Sequence, residues 1–87
     1  CDGRLRFSGS PLWNRWGNSL ANTRFQPAAA AGISAEEAPR LELAWAFAFP
    51  EAARARSQPA MTAEAIFTGS QSGRVYALDT QTGCIWW

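Results

Sequence analysis

The sequence predicts an all-β chain, and three features carry that expectation. The large apolar side chains are mostly rings, with five Trp and five Phe set in an apolar complement otherwise dominated by alanine, a composition suited to sheet surfaces that pack through aromatics. The segment Leu41 to Phe49 alternates large and small residues without a break. From Ser57 onward, short β-branched and aromatic runs are separated by turn-forming residues at hairpin spacing.

Residues 1–40 predict an irregular N-terminal segment. Gly9-Ser10-Pro11 and the tryptophan-rich Trp13-Asn14-Arg15-Trp16-Gly17-Asn18 show neither the helical nor the strand period. The alanines at 28–31 favour helix, but Pro27 and Gly32 bracket them closely enough to allow one turn at most. Ser34 and Glu37 have the spacing of a capping box, and Glu36 and Glu37 suit the positive end of a helix dipole. Pro39 disfavours helical geometry at Ala38, so this helix is expected to be a single turn.

On a helix, Leu41, Leu43, Trp45, Phe47 and Phe49 would wrap the whole circumference; on a strand they share one face. A strand is therefore expected over 41–49, ended by Pro50, with a polar connection over 51–56. The meander that follows is predicted as a short strand near Gln58 to Thr62, a second over Ala65 to Ser70, a Gln71-Ser72-Gly73 turn, a third strand over Arg74 to Asp79, a Thr80 to Gly83 turn, and a fourth strand from Cys84. Asp79 is placed to accept hydrogen bonds from the backbone N–H groups just ahead of it, and Gly83 to supply positive φ. Four short strands in about thirty residues match the size of one propeller blade.

Composition excludes several chemistries. The 87 residues carry a net charge of +1, eight basic side chains that are all arginine, and no histidine. One domain at most fits this length. Imidazole catalysis, a His-ligated zinc site and a haem-attachment motif are all impossible within these residues. No phosphate-binding glycine loop occurs, the arginines are scattered, and no run approaches the ~18 apolar residues of a membrane span. Two cysteines are too few for a disulfide framework, and they leave Cys84 open between a partner outside these residues and a small buried thiol. The chain starts without Met and stops in the apolar run Cys84-Ile85-Trp86-Trp87, as expected for a piece of a longer protein.

Ala77, Asp79, Thr82, Gly83 and Trp87 fill every fixed position of the tryptophan-docking pattern A-x-D-x-x-T-G-x-x-x-W. In this respect the chain resembles the pyrroloquinoline quinone (PQQ) propeller repeat of quinoprotein alcohol dehydrogenases. The upstream order is similar as well: Trp16, Gly17 and Asn18, then Asn22-Thr23-Arg24-Phe25, then Leu43 and Trp45, then Gln58-Pro59. Trp13-x-x-Trp16-Gly17, Trp45-Ala46-Phe47 and Thr82-Gly83-Cys84 look most like the polyvinyl-alcohol dehydrogenase branch. The resemblance covers about residues 12–87.

What the resemblance implies is a fragment of an eight-bladed β-propeller: an irregular segment over 1–40, an outer strand over 41–50 that closes the last blade, and the first four-stranded blade over 57–87. Trp87 would wedge against a neighbouring blade while Ala77 and Gly83 receive a ring, and Trp45 would stand in for the last blade's docking tryptophan. These motif residues are structural. The implied function is oxidation of alcohols, polyvinyl alcohol among them, with PQQ and Ca²⁺ as cofactors, a cytochrome c as electron acceptor and a periplasmic location. Because the cofactor lies at blade openings, Arg54, Arg56, Ser57 and Gln58 are the available contributors, and Arg56 and Gln58 are the candidate PQQ contacts. No catalytic residue and no metal ligand is expected in this chain; the Ca²⁺ ligands and the catalytic base of the family lie in later blades. The alternative is a non-catalytic propeller that serves as an assembly or binding scaffold.

Overall fold

The computed structural model describes residues 1–5 and 10–87. Its centre is a three-stranded antiparallel sheet of β1 (Ala60–Met61), β2 (Ala65–Gly69) and β3 (Val75–Asp79), in that order. These are the predicted strands, β2 and β3 slightly shorter than expected and β1 reduced to the Ala60–Met61 pair. The register pairs Phe67 with Ala77 and Ile66 with Leu78, so Ala60, Phe67 and Ala77 share one face and Met61, Ile66 and Leu78 the other. Ala65, Tyr76, Ala77 and Leu78 form the buried core.

The turns follow from local chemistry. Thr62 accepts the Ala65 N–H on its hydroxyl at 3.1 Å and closes the β1–β2 turn. Gly73, at φ 82°, closes the β2–β3 turn, where the Ser70 N–H donates to the Arg74 carbonyl at 2.8 Å. Ser57 fastens the preceding connection to the end of β2: its hydroxyl donates to the Gly69 carbonyl at 2.6 Å and accepts the Gly69 N–H at 3.0 Å.

The fourth strand is present as a returning segment and not as a full ladder. Asp79 N–H donates to the Cys84 carbonyl at 2.8 Å, and Leu78 and Ile85 form a bridge. Beyond it, Ala77 exchanges bonds with two successive residues, accepting from the Trp86 N–H at 2.8 Å and donating to the Trp87 carbonyl at 2.9 Å. Two residues opposite one is the arrangement of a bulge, which interrupts the ladder where a regular strand was expected.

The predicted strand over 41–49 has no ladder among the described residues. Its two-residue period nonetheless survives in burial: Trp45, Phe47 and Phe49 are half-buried, while Ala44, Ala46 and Ala48 are exposed. Phe47 and Phe49 pack on Tyr76 of β3, with ring centroids 5.1 and 5.9 Å from it. Side chains hold the segment where backbone pairing does not, and its early part, with Leu43 84% exposed, is uncovered.

Residues 10–40 wrap one edge of the sheet. Trp13 pairs with Met61 on the free side of β1, the Met61 N–H donating to the Trp13 carbonyl at 2.6 Å. The following loop is tight. Asn18, Asn22 and Arg24 all adopt positive φ, a conformation Asn accepts readily, and the Arg24 N–H donates to the Gly17 carbonyl at 3.0 Å. A side chain at Gly17 would run into Asn22, so this position has to be glycine. The alanine run forms one helical turn, Ala28–Ala31, ended by Gly32 at φ 72°. One half of the capping box forms, the Ser34 N–H donating to Glu37 at 2.8 Å. Pro39 does not end the helical geometry at Ala38 as expected. It sits early in a 3₁₀ turn, Ala38–Arg40, where its missing N–H costs nothing. Of the Gly9-Ser10-Pro11 stretch, Gly9 lies outside the described residues.

Candidate functional site

The turn from Asp79 to Gly83 is built around one carboxylate. Asp79 accepts from the Thr82 hydroxyl at 2.7 Å, the Thr82 N–H at 2.8 Å and the Gln81 N–H at 3.1 Å through a single oxygen. These bonds, the Thr82 hydroxyl first, hold its pKa below the usual aspartate value. The Gly83 N–H closes the turn on the Asp79 carbonyl at 2.9 Å, with Gly83 at φ 70° as expected. Thr80 ties this turn to the β1–β2 turn, its N–H donating to the Glu64 carbonyl at 3.1 Å and its hydroxyl to the Ala63 carbonyl at 2.8 Å.

The turn receives a tryptophan from the 41–49 segment. Trp45 donates its indole N–H to the Thr80 carbonyl at 3.1 Å. Its ring lies so close over Gly83 that a Cβ there would stand 2.6 Å from two ring carbons. Gly83 is thus needed twice, for its φ and for the ring above it. The resemblance implied both a ring on Gly83 and a docking role for Trp45; spacing alone gave no route to the pairing, because no glycine precedes Trp45 at motif distance and Trp45 and Thr80 lie 35 residues apart.

Trp87, the tryptophan that ends the motif, is 57% exposed. Its ring leans on Phe67 at 6.1 Å, with Ala77 between the two on the same row of the sheet. Trp86 goes elsewhere, lining a pocket together with Arg4, Leu5, Asp79 and Thr80. The indole N–H groups of Trp13 and Trp86 and the Tyr76 hydroxyl are buried with no hydrogen-bond partner among the described residues.

Neither alternative expected for Cys84 holds: it is not a free thiol and its partner is within these residues, because the folded-back chain brings Cys1 to it in a disulfide, Cα to Cα 5.5 Å. The available signal was that the chain has just two cysteines.

A groove of about 370 Å³ opens beside β1 and β2, walled by Leu12, Trp13, Met61 and Ile66 and reached by the side chains of Gln26 and Gln58. Of the candidate contacts, Gln58 lines this groove and Arg56 does not; Arg56 and Arg54 are exposed. The Gln26 amide is engaged already, accepting from Asn18 and donating to the Leu12 carbonyl at 3.5 Å.

A family model described as "Glucose/ethanol/alcohol dehydrogenase, beta-propeller domain", with the short name PQQ, matches residues 13–87. The chain belongs to this β-propeller family of PQQ-type dehydrogenases. Within it, the chain falls with the polyvinyl-alcohol branch: it is 41% identical over 90 residues to a polyvinylalcohol dehydrogenase of a Pseudomonas species and 39% identical over 75 residues to one of Sphingopyxis sp. (strain 113P3). The two alignments take in 100% and 86% of this chain but 14% and 11% of those relatives, so the chain spans about one seventh of their length or less. No solved structure matches.

PQQ is a planar tricarboxylate, so its site needs flat walls for the ring and positive charge or several donors for the carboxylates. The groove offers the Trp13 ring and the Gln58 amide, but no arginine among the described residues lines it. On their own, the described residues do not fit the group.

Proposed function

We propose that these residues are the N-terminal part of a PQQ-dependent dehydrogenase that oxidises secondary alcohols of the polyvinyl alcohol type. The observation that carries this reading is the kinship to two polyvinylalcohol dehydrogenases along most or all of the chain. The parent is an eight-bladed propeller. Residues 57–87 form its first blade, residues 41–50 the outer strand of its last, and residues 1–40 an irregular lead-in. Trp45 on Gly83 supports this assignment, since a segment without a ladder partner of its own already docks its ring on the next blade's motif. The three unpartnered buried donors and the exposed Trp87 support it too, as groups that other blades would satisfy.

When bound in the parent, PQQ would supply a two-electron acceptor, with a cytochrome c as the onward electron partner in the periplasm. Arg56 and Gln58 contribute one edge of the cofactor site; the remaining charge, the Ca²⁺ ligands and the carboxylate base come from later blades. Gln58, beside the Trp13 ring, is the better placed of the two. The alternative is a propeller that binds partners without catalysis.

Dye-linked oxidation of secondary alcohols and of polyvinyl alcohol by the full-length protein, with and without PQQ and Ca²⁺, separates the two readings. The dehydrogenase gives turnover that depends on PQQ, and Gln58→Ala weakens PQQ binding in a direct titration. A scaffold gives no turnover at any PQQ concentration.

A further inference from the structure

Among the described residues, the first five meet the blade at its motif turn. Arg4 and Leu5 form one wall of an open pocket of about 340 Å³ whose other walls are Ala63, Asp79, Thr80, Gln81 and Trp86, beside the turn whose Gly83 carries the Trp45 ring. Little holds them there. One backbone bond, from the Cys1 nitrogen to the Ile85 carbonyl, is long at 3.4 Å, and Cys1 to Leu5 form no helix or strand. The firm attachment is the Cys1–Cys84 disulfide, which joins residues 83 apart in sequence and enters the blade immediately after Gly83. Cys1 is exposed, so the bond is open to thiol reagents.

We propose that this disulfide is a redox-sensitive staple that seats residues 1–5 on the docking turn, and that its reduction releases them. In forming it, the two thiols give up two electrons and two protons to a disulfide oxidant of the exchange type, which is itself reduced to two thiols. A closed loop of this length removes much conformational freedom from the unfolded chain, so the oxidised form is the more stable one. Release opens the Trp86 side of that pocket and frees the backbone after Arg4, whose side chain is exposed already, to enter a protease.

The test uses the full-length protein purified from an oxidising compartment. Thiol titration under denaturing, non-reducing conditions and peptide mapping are expected to show Cys1 linked to Cys84. A phosphine reductant is expected to lower the melting temperature by a few degrees and to speed trypsin cleavage after Arg4 by about tenfold or more, as local opening controls such cleavage. Cys1→Ser leaves Cys84 as a small thiol within the fold. It should match the reduced wild type in both measurements and show no further response to the reductant. Two free thiols in the purified protein would overturn the proposal, as would a reduced protein with unchanged melting and cleavage. None of these readouts requires alcohol oxidation, so the proposal stands or falls apart from the enzymatic reading.

Discussion

Gly83 meets two demands at once, a left-handed backbone and an aromatic ring where a Cβ would be. Gly83→Ala is expected to cost about 1–2 kcal/mol from the backbone alone, and more because Trp45 must move. Melting should fall and Trp45 fluorescence should shift toward that of an exposed indole; unchanged fluorescence would place the ring elsewhere. Asp79 makes a second residue-level test. Its folded pKa lies below the ordinary value of about 3.9. Its contribution to stability is therefore complete at pH above that ordinary value and is lost as pH falls through the depressed folded one. The melting temperatures of wild type and Asp79→Asn should differ at neutral pH and converge as the acid limit is approached. A difference that grows toward low pH would contradict the bonding seen at this turn. Both residues were legible in the sequence because their roles are local: a carboxylate two and three residues ahead of its donors, and a glycine at the turn's end.

At the scale of elements, legibility ends where partners are distant. β1, β2 and β3 stand where turn chemistry put them, since Thr62, Gly73 and the Asp79 turn each act over a few residues. The 41–49 segment shows the other case. Its period was readable, but a ladder requires a neighbouring strand, and pattern alone does not say whether one is there. Cys1 and Cys84 likewise meet only because the whole chain folds back on itself. The bulge at Trp86 and Trp87 had no sequence signal either. The period itself can be tested in the full-length protein. Phe47→Glu is expected to cost several kcal/mol, roughly the burial of one ring plus a desolvated charge, because Phe47 packs on Phe49 and Tyr76. Ala46→Glu, at an exposed position, should be tolerated far better. Chemical denaturation of the two variants decides the matter, and equal damage from both would mean that the segment is packed tightly on both faces.

On the scale of the whole molecule, the sheet has unfinished surfaces, as the blade proposed above would have on its own. Leu20, Leu41, Leu43, Phe25 and Trp87 remain largely exposed, and three buried polar groups lack partners among the described residues. Isolated surfaces of this kind call for neighbours. In the proposed propeller those neighbours are other blades: Trp45 shows how a ring docks on the motif turn, and Trp87 would make the same contact on the next blade. The most direct measurement is thermal unfolding of full-length Trp87→Ala, with alcohol oxidation followed on the same samples. If Trp87 is wedged between blades, truncation removes a buried ring and costs about 3–5 kcal/mol, so melting falls clearly while the protein that remains folded keeps its PQQ-dependent turnover. Unchanged melting with turnover abolished would contradict the docking assignment and place Trp87 in the chemistry instead.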